Sequence, residues 1–432
     1  MDAPGRPLRV AYVLLRPPSY SETFITSEIE AVRAAGATVE VFVARRDGGR
    51  GAELRQVLGA LLRHPVRTLA GVRVLGMSYL PRALLAAAHA ARLSGPVSRF
   101  GADVLHAHFV NLPTAVAALV GRWTAVPVTA MAHAADFLLD GNGPALDRRL
   151  RLLSHLFVIS RAAATQLAER GATVSEIPHS VVRAAFDGEI VEPQGRPTGS
   201  TIRLVTVARL VEKKGVDTAL DAVALLVRAG IPVRYDIYGD GPIRSVLADR
   251  AHASALTDVV TFHGAVSHRV ATAALVGADA AVLPCRRAAD GDLDGIPVFL
   301  MEAASRGVPV VTTAVSGIPE LIGSDGGWQV PPDDPTALAD ALRQLIHRPE
   351  EGRRRAGILA RRLREEFSPT LQARRLLTVW GRLVDRAPRS TASRVPFVST
   401  VDGRAPAATD PAAGPAREQV GGTPGEVGTA WT

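Results

Sequence analysis

The chain has a single cysteine, Cys285, which excludes an internal disulfide framework and a cysteine-built metal cluster and leads us to expect a reducing compartment. Aromatic residues amount to only 5% of the sequence, and no nucleic-acid-binding motif is present, so nucleic acid is a poor partner despite the basic balance. Nowhere do about 18 apolar residues run together, which excludes a membrane-spanning helix by that criterion. The apolar run at 8–15 is short and ends at Arg16-Pro17-Pro18, so it reads as a buried strand and not as a targeting segment. A cytoplasmic location is therefore expected. Acidic residues are outnumbered, 42 Asp+Glu against 50 Lys+Arg, and the resulting charge of +8 suits an anionic substrate or an anionic surface.

What is present is globular. The hydrophobic fraction is 47%, and 432 residues suffice for two large cores, since one core seldom grows beyond ~250–300 residues. Strand-like runs at 8–15, 38–44, 103–109, 127–133 and 155–160 are separated by helical patterns. One of these is an amphipathic helix with Ser21 as N-cap and Phe24, Ile25, Ile29 and Val32 on its apolar face. A second series of strands follows at 203–209, 232–239, 259–264, 280–284 and 309–313. This alternation predicts an α/β architecture: two doubly wound, Rossmann-like domains of parallel strands facing a cleft, with ligands at the strands' carboxyl ends. The expected boundaries are an N-terminal domain at 1–188, a linker at 189–200 and a C-terminal domain at 201–368. A helix at 369–387 would pack back toward the first domain, and a disordered tail would follow at 388–432.

Chemistry concentrates in the second half. In DGDLDGIPVFLMEAASRGVP, Asp294 precedes the turn Gly295-Ile296-Pro297, and Glu302 lies on the helical stretch behind it. Both carboxylates are expected to face one cleft, beside backbone N–H groups from Gly295 onward that favour an anion. Two acids beside an anion site suit a nucleotide sugar, because carboxylates accept from hydroxyls while amides hold phosphate. The plainer alternative is a capped helix with a solvated Glu. A strand ending at Arg209, followed by Lys213, Lys214 and Gly215, supplies cations that would neutralise a diphosphate without a metal.

The R-L-x-x-x-K-G loop at 209–215, the glycine loop Gly239-Asp240-Gly241, the F-H-G ending at Gly264 and the Asp294/Glu302 element together resemble glycosyltransferase family four, retaining enzymes of GT-B fold. S-E-T-F-I at 21–25, H-A-H-F at 106–109 and A-H-A-A-D at 132–136 are similar to exopolysaccharide and colanic-acid-type transferases. The resemblance implies transfer of a hexose from a nucleoside-diphosphate sugar, the co-substrate, to a glycan or lipid-linked acceptor, with no further cofactor and no metal. It implies that Arg209 and Lys214 hold the diphosphate and Glu302 the ribose. Asp294 and the amides from Gly295, through Ile296 and Pro297, to Val298 would hold the transferred sugar and its phosphate. Gly239, Gly241 and His263 would lie near the nucleotide, His133 on the acceptor side near the reacting centre, and Asp136 would orient His133. The sequence departs from the family at Asp294, where Glu is usual, at Ala208, where Gly is usual, and at His179-Ser180-Val181-Val182-Arg183, where H-N-G-V-D is expected.

Other readings remain at this point. Asp290-Gly291-Asp292 and Asp292-Leu293-Asp294 each spell D-x-D, a metal-diphosphate signature in a different transferase fold. A nucleotide-sugar epimerase of the same fold and an inactive nucleotide-sugar-binding subunit are the alternatives on function. His106 and His108 are expected to point to opposite faces of their strand and so not to share one ion. From Arg45 to Arg99, ten arginines stand against Asp47 and Glu53 among Leu, Val and Ala, as in helices that lie on anionic membranes.

Overall fold

The computed structural model describes residues 6–18, 23–45, 49–76, 80–138, 143–186, 188–191 and 201–386. Six short apolar runs form the first sheet: β1 Arg9–Leu14, β2 Thr38–Val43, β3 Val104–His108, β4 Val128–Ala132, β5 His155–Val158 and β6 His179–Val181. They pair in the order β2-β1-β3-β4-β5-β6, every pair parallel. Six more form the second: β7 Ile202–Val207, β8 Val233–Tyr238, β9 Val260–Gly264, β10 Ala280–Leu283, β11 Val310–Thr313 and β12 Trp328–Val330. Their order is β12-β11-β10-β7-β8-β9, again all parallel. Central strands such as β3, β4, β10 and β11 are buried along their whole length, as parallel strands covered on both faces must be. Two parallel sheets with connecting helices make the GT-B arrangement that the alternation of strands and helices predicts.

The helix Thr23–Ala34 buries Ile25, Ile29 and Val32 as its periodicity requires, while its expected cap, Ser21, lies outside the described residues, as do 192–200 of the expected linker and 387–432. The Arg-rich region folds as three helices, Gly49–Arg63, Pro65–Leu75 and Leu80–Phe100. The last described helix, Pro369–Arg386, packs on the first core through Ala373, Leu376 and Trp380. Trp380 is fully buried, donates its indole N–H to Thr129 Oγ1 at 3.0 Å and meets the rings of Tyr12, His106 and Phe157.

The two halves touch at the carboxyl ends of their strands. Gln166 Nε2 donates to Ser316 Oγ at 3.2 Å, and the backbone N–H of Ala162 donates to Glu320 Oε1 at 3.0 Å. Leu293, in the loop of the second half that carries the acidic residues, is buried in the first half's core. The HSVVR segment belongs to this contact. His179, Ser180 and Val181 form the edge strand β6, and Arg183 bridges Glu320 and Glu366 at 3.2 and 3.3 Å while lying over the Phe367 ring. Where the family resemblance leads one to expect an aspartate, this chain thus has an arginine that ties the two halves together.

Candidate active site

The second sheet ends in a cavity of about 260 Å³ lined by Val207, Ala208, Arg209, Lys214, Tyr238, Gly239, Val266, Asp294, Ile296, Pro297, Val298, Phe299 and Glu302. β7 and β8 run side by side, so the loops leaving them deliver Ala208-Arg209 and Gly239 to one place, and β10, on the other flank of β7, delivers the acidic loop. The glycine loop fits because Gly239 and Gly241 have no side chains. Gly239 sits at φ +130°, and a Cβ there would lie 1.8 Å from the Ala208 carbonyl oxygen; at Gly241 it would lie 2.2 Å from that of Leu210.

Lys214, Asp294 and Glu302 of the cavity are already paired, whereas Arg209 is exposed. Lys214 Nζ lies 2.6 Å from Asp294 Oδ2, and Lys213 Nζ bridges Asp294 Oδ1 at 3.3 Å and Asp292 Oδ2 at 2.9 Å. Burial disfavours both charges, but the two lysines outweigh it at Asp294 and hold the carboxyl below its ordinary range, while Asp294 in turn holds the Lys214 ammonium above its own. Burial, and then the Asp294 charge, push the neighbouring Cys285 thiol well up, which makes it a buried, unreactive thiol. The expected placement of Glu302 holds: it lies on the helix Val298–Ser305, is nearly buried, and accepts from His268 Nε2 at 2.9 Å. Asp294 stands four residues ahead of that helix, and no side chain caps the helix N-terminus.

Of the residues singled out in the sequence, Arg209, Lys214, Gly239, Asp294, Ile296, Pro297, Val298 and Glu302 line this cavity. Gly241, Gly295 and His263 do not. Gly241 lies under the wall, against Leu210, and the Gly295 carbonyl accepts from the Gly317 N–H at 3.1 Å. His263 stacks flat on Tyr238, with ring centroids 4.1 Å apart, and bonds Asp236 Oδ1 at 2.7 Å, so it backs a wall residue. Tyr238, Val266 and Phe299, which line the cavity, and His268, which bonds Glu302 there, are residues that sequence reasoning missed; apolar and aromatic walls carry no short sequence signature.

On the opposite side, His133 directly follows β4, half-buried between the rings of Phe24 and Phe109 at 4.9 and 4.8 Å. Burial, with His108 adding to it, pushes its pKa well below the ordinary histidine value, so the ring is neutral. Asp136 accepts from the His133 backbone N–H at 3.0 Å and from that of Val110 at 2.5 Å; it fixes the chain and not the ring. Burial pushes the Asp136 carboxyl up to about 8, against those two amides. The expectation about His106 and His108 is corrected. Side chains alternate with a period of two, so residues two apart share a face, and both histidines meet the same carboxylate, Glu28 Oε1, at 3.5 and 3.0 Å. Glu28, His106 and His108 are the group of described residues whose ligand atoms lie close enough, within 4.8 Å, to hold an ion together.

Residues 201–348 match the family model "Glycosyl transferases group 1", and residues 21–184 match "Glycosyltransferase Family 4". A protein of Escherichia coli K12 provisionally named a colanic acid biosynthesis glycosyltransferase, WcaL, is 31% identical over 78% of this chain and 90% of its own length. The chain belongs to glycosyltransferase family four. The amylovoran biosynthesis glycosyltransferase AmsK of Erwinia amylovora is 41% identical to this glycosyltransferase over 33% of its chain and 36% of AmsK. The crystal structure of Anabaena HepE in complex with UDP superposes with a TM-score of 0.65 at 16% identity, covering 87% of this chain and all of that one, a likeness of fold. The enzyme is a transferase of GT-B fold, and its relatives by sequence include glycosyltransferases named for colanic acid and amylovoran biosynthesis.

Proposed function

We propose that this glycosyltransferase moves a hexose, with retention of configuration, from a nucleoside-diphosphate sugar to a glycan or lipid-linked acceptor in cell-surface or exopolysaccharide synthesis, in the cytoplasm. The observation that carries the reading is the cavity in which exposed Arg209, the Lys214–Asp294 pair and buried Glu302 converge beyond the ends of β7 and β8. Arg209 and Lys214 take the diphosphate, Glu302 accepts from the ribose hydroxyls, and Asp294 with the chain from Gly295 to Val298 holds the sugar and its phosphate. The two lysines satisfy the carboxylates of the D-x-D sequence, which favours a metal-independent site. Among the described residues, both carboxylates that line the cavity, Asp294 and Glu302, are already engaged and neither is free to act as nucleophile, so the departing phosphate deprotonates the acceptor on the same face, with His133 on the acceptor side.

Calorimetry with UDP, GDP and ADP, first in EDTA and then with magnesium, tests this. Tight binding of one nucleotide in EDTA, lost in Arg209→Ala, is the expected result. Binding only with magnesium would return the D-x-D reading, and trapping of a glycosyl-enzyme would refute same-face substitution.

The same enzyme, on our reading, rests on an anionic membrane surface through its Arg-rich helices. Leu54, Leu58 and Leu62 recur at helical spacing and are 61%, 51% and 84% exposed; Val66 and Leu69 continue the stripe at 79% and 61%. Exposed Arg55, Arg63, Arg67 and Arg73 accompany them. Cosedimentation with anionic liposomes at physiological salt is expected, weakened by neutralising Arg63, Arg67 and Arg73 at ~1 kcal/mol for each. Failure to pellet would sink this part alone.

A further inference from the structure

The buried polar residues of the first half form a connected chain that ends at His133. Glu28, on the helix Thr23–Ala34, is nearly buried, and a buried carboxylate is tolerated only with donors around it. It has them: Tyr12 Oη donates to Oε1 at 2.8 Å and His108 Nε2 lies at 3.0 Å, while His106 Nε2, at 3.5 Å, is near but makes no hydrogen bond. On its other side His106 is held by Thr129 Oγ1 at 2.9 Å, which in turn accepts from Trp380. His108 Nδ1 then faces His133 Nε2 at 3.1 Å, with the two rings stacked at 5.4 Å.

We infer that Glu28 and His108 are positioning residues that fix which ring nitrogen of His133 carries its proton, and so what His133 offers a ligand. The inference rests on the reading that His133 faces the acceptor side of the cleft. An ionised carboxylate has no hydrogen to give, so the hydrogen between Glu28 and His108 belongs to His108 Nε2. When that is the one hydrogen on the His108 ring, Nδ1 is bare and accepts, and His133 must donate from Nε2. His133 Nδ1, on the far side of the ring, is thereby left as a lone pair that accepts from a hydroxyl of sugar or acceptor. Phe24 and Phe109 hold the ring plane while the hydrogen-bond chain sets the tautomer. Packing alone would leave both tautomers populated, and a hydroxyl would then meet an N–H in part of the molecules.

Nitrogen-15 NMR of histidine-labelled protein reads the tautomer directly. The expected wild-type spectrum has His133 protonated at Nε2 and bare at Nδ1. Glu28→Gln, close in shape, is expected to yield a mixture of tautomers and to lower kcat on the order of tenfold, with the KM for the donor unchanged. A wild-type His133 bare at Nε2, or a tautomer unaltered in Glu28→Gln, would overturn the inference, and so would one equivalent of zinc in the purified protein, because a metal on Glu28, His106 and His108 would consume the nitrogen that orients the chain. If Glu28→Gln does not fold, the wild-type spectrum alone decides. If the protein turns over no nucleotide sugar, the donor-site reading fails while the spectrum still tests the chain.

Discussion

The two halves share one architecture, six parallel strands each, yet they place their polar residues differently. In the second half the charged groups stand beyond the strand ends, around an open cavity, as Lys213, Lys214, Asp292 and Asp294 do. In the first half they lie inside the sheet's core: His106, His108 and Thr129 are fully buried on β3 and β4, and Glu28 and Trp380 close over them. The second half has its charges where a ligand can replace one partner of an ion pair. The first half has polar groups whose partners are fixed by the fold, and the chain they form ends at half-buried His133. On the function proposed above, one half binds the donor and the other orients His133.

That contrast can be broken or sharpened by substitution. The largest effect is expected from Trp380→Ala, which removes a fully buried ring and Thr129's donor; stability should fall by ~3–5 kcal/mol in denaturant unfolding, with nucleotide affinity unchanged in the folded protein. If affinity falls in parallel, the halves are not separate in function. Lys214→Ala leaves Asp294 with Lys213 alone and should lower kcat/KM by on the order of 10²- to 10³-fold; a loss below tenfold would remove Lys214 from the charge-stabilising role.

A third prediction concerns pH. Burial, followed by the charges of Arg92 and Arg45, lowers the His89 pKa from 6.5 to about 4. The folded state thus disfavours the proton that the unfolded chain takes up, so this contribution is complete above about pH 6.5 and is lost as pH falls toward about 4, amounting to ~3 kcal/mol. His89→Leu should flatten the fall in stability between those values; an unchanged slope would assign it to other groups. The smallest effect is expected from Asp294→Glu, which restores the residue usual in the family. One added methylene beside two lysines should change kcat/KM by roughly tenfold or less, and a larger change would show that this chain has refitted its cavity around the shorter acid.

Much of this was legible in the sequence. Ten strands fall within a residue or two of their expected places because buried parallel strands are unbroken apolar runs. The two that pattern reading did not find, β6 His179–Val181 and β12 Trp328–Val330, are three-residue edge strands, too short for any period to register. The Lys–Asp pair spans 80 positions and became legible through family resemblance, since nothing local says that β10 lies beside β7. The chain from Glu28 to His133 was not legible. It needs Glu28 to meet a strand 80 positions away, and one misjudged alternation had sent its two histidines apart.

Leu293 carries a consequence for rearranging such enzymes. It sits between Asp292 and Asp294 in sequence, yet its side chain belongs to the core of the other half. The acidic loop is therefore pinned by a residue lodged in foreign ground, and on the proposed reading of that loop donor specificity is not the private property of the second half. A chimera that joins this second half to another transferase's first half inherits the acids but not their anchorage, unless the new first half offers an apolar socket in the same place.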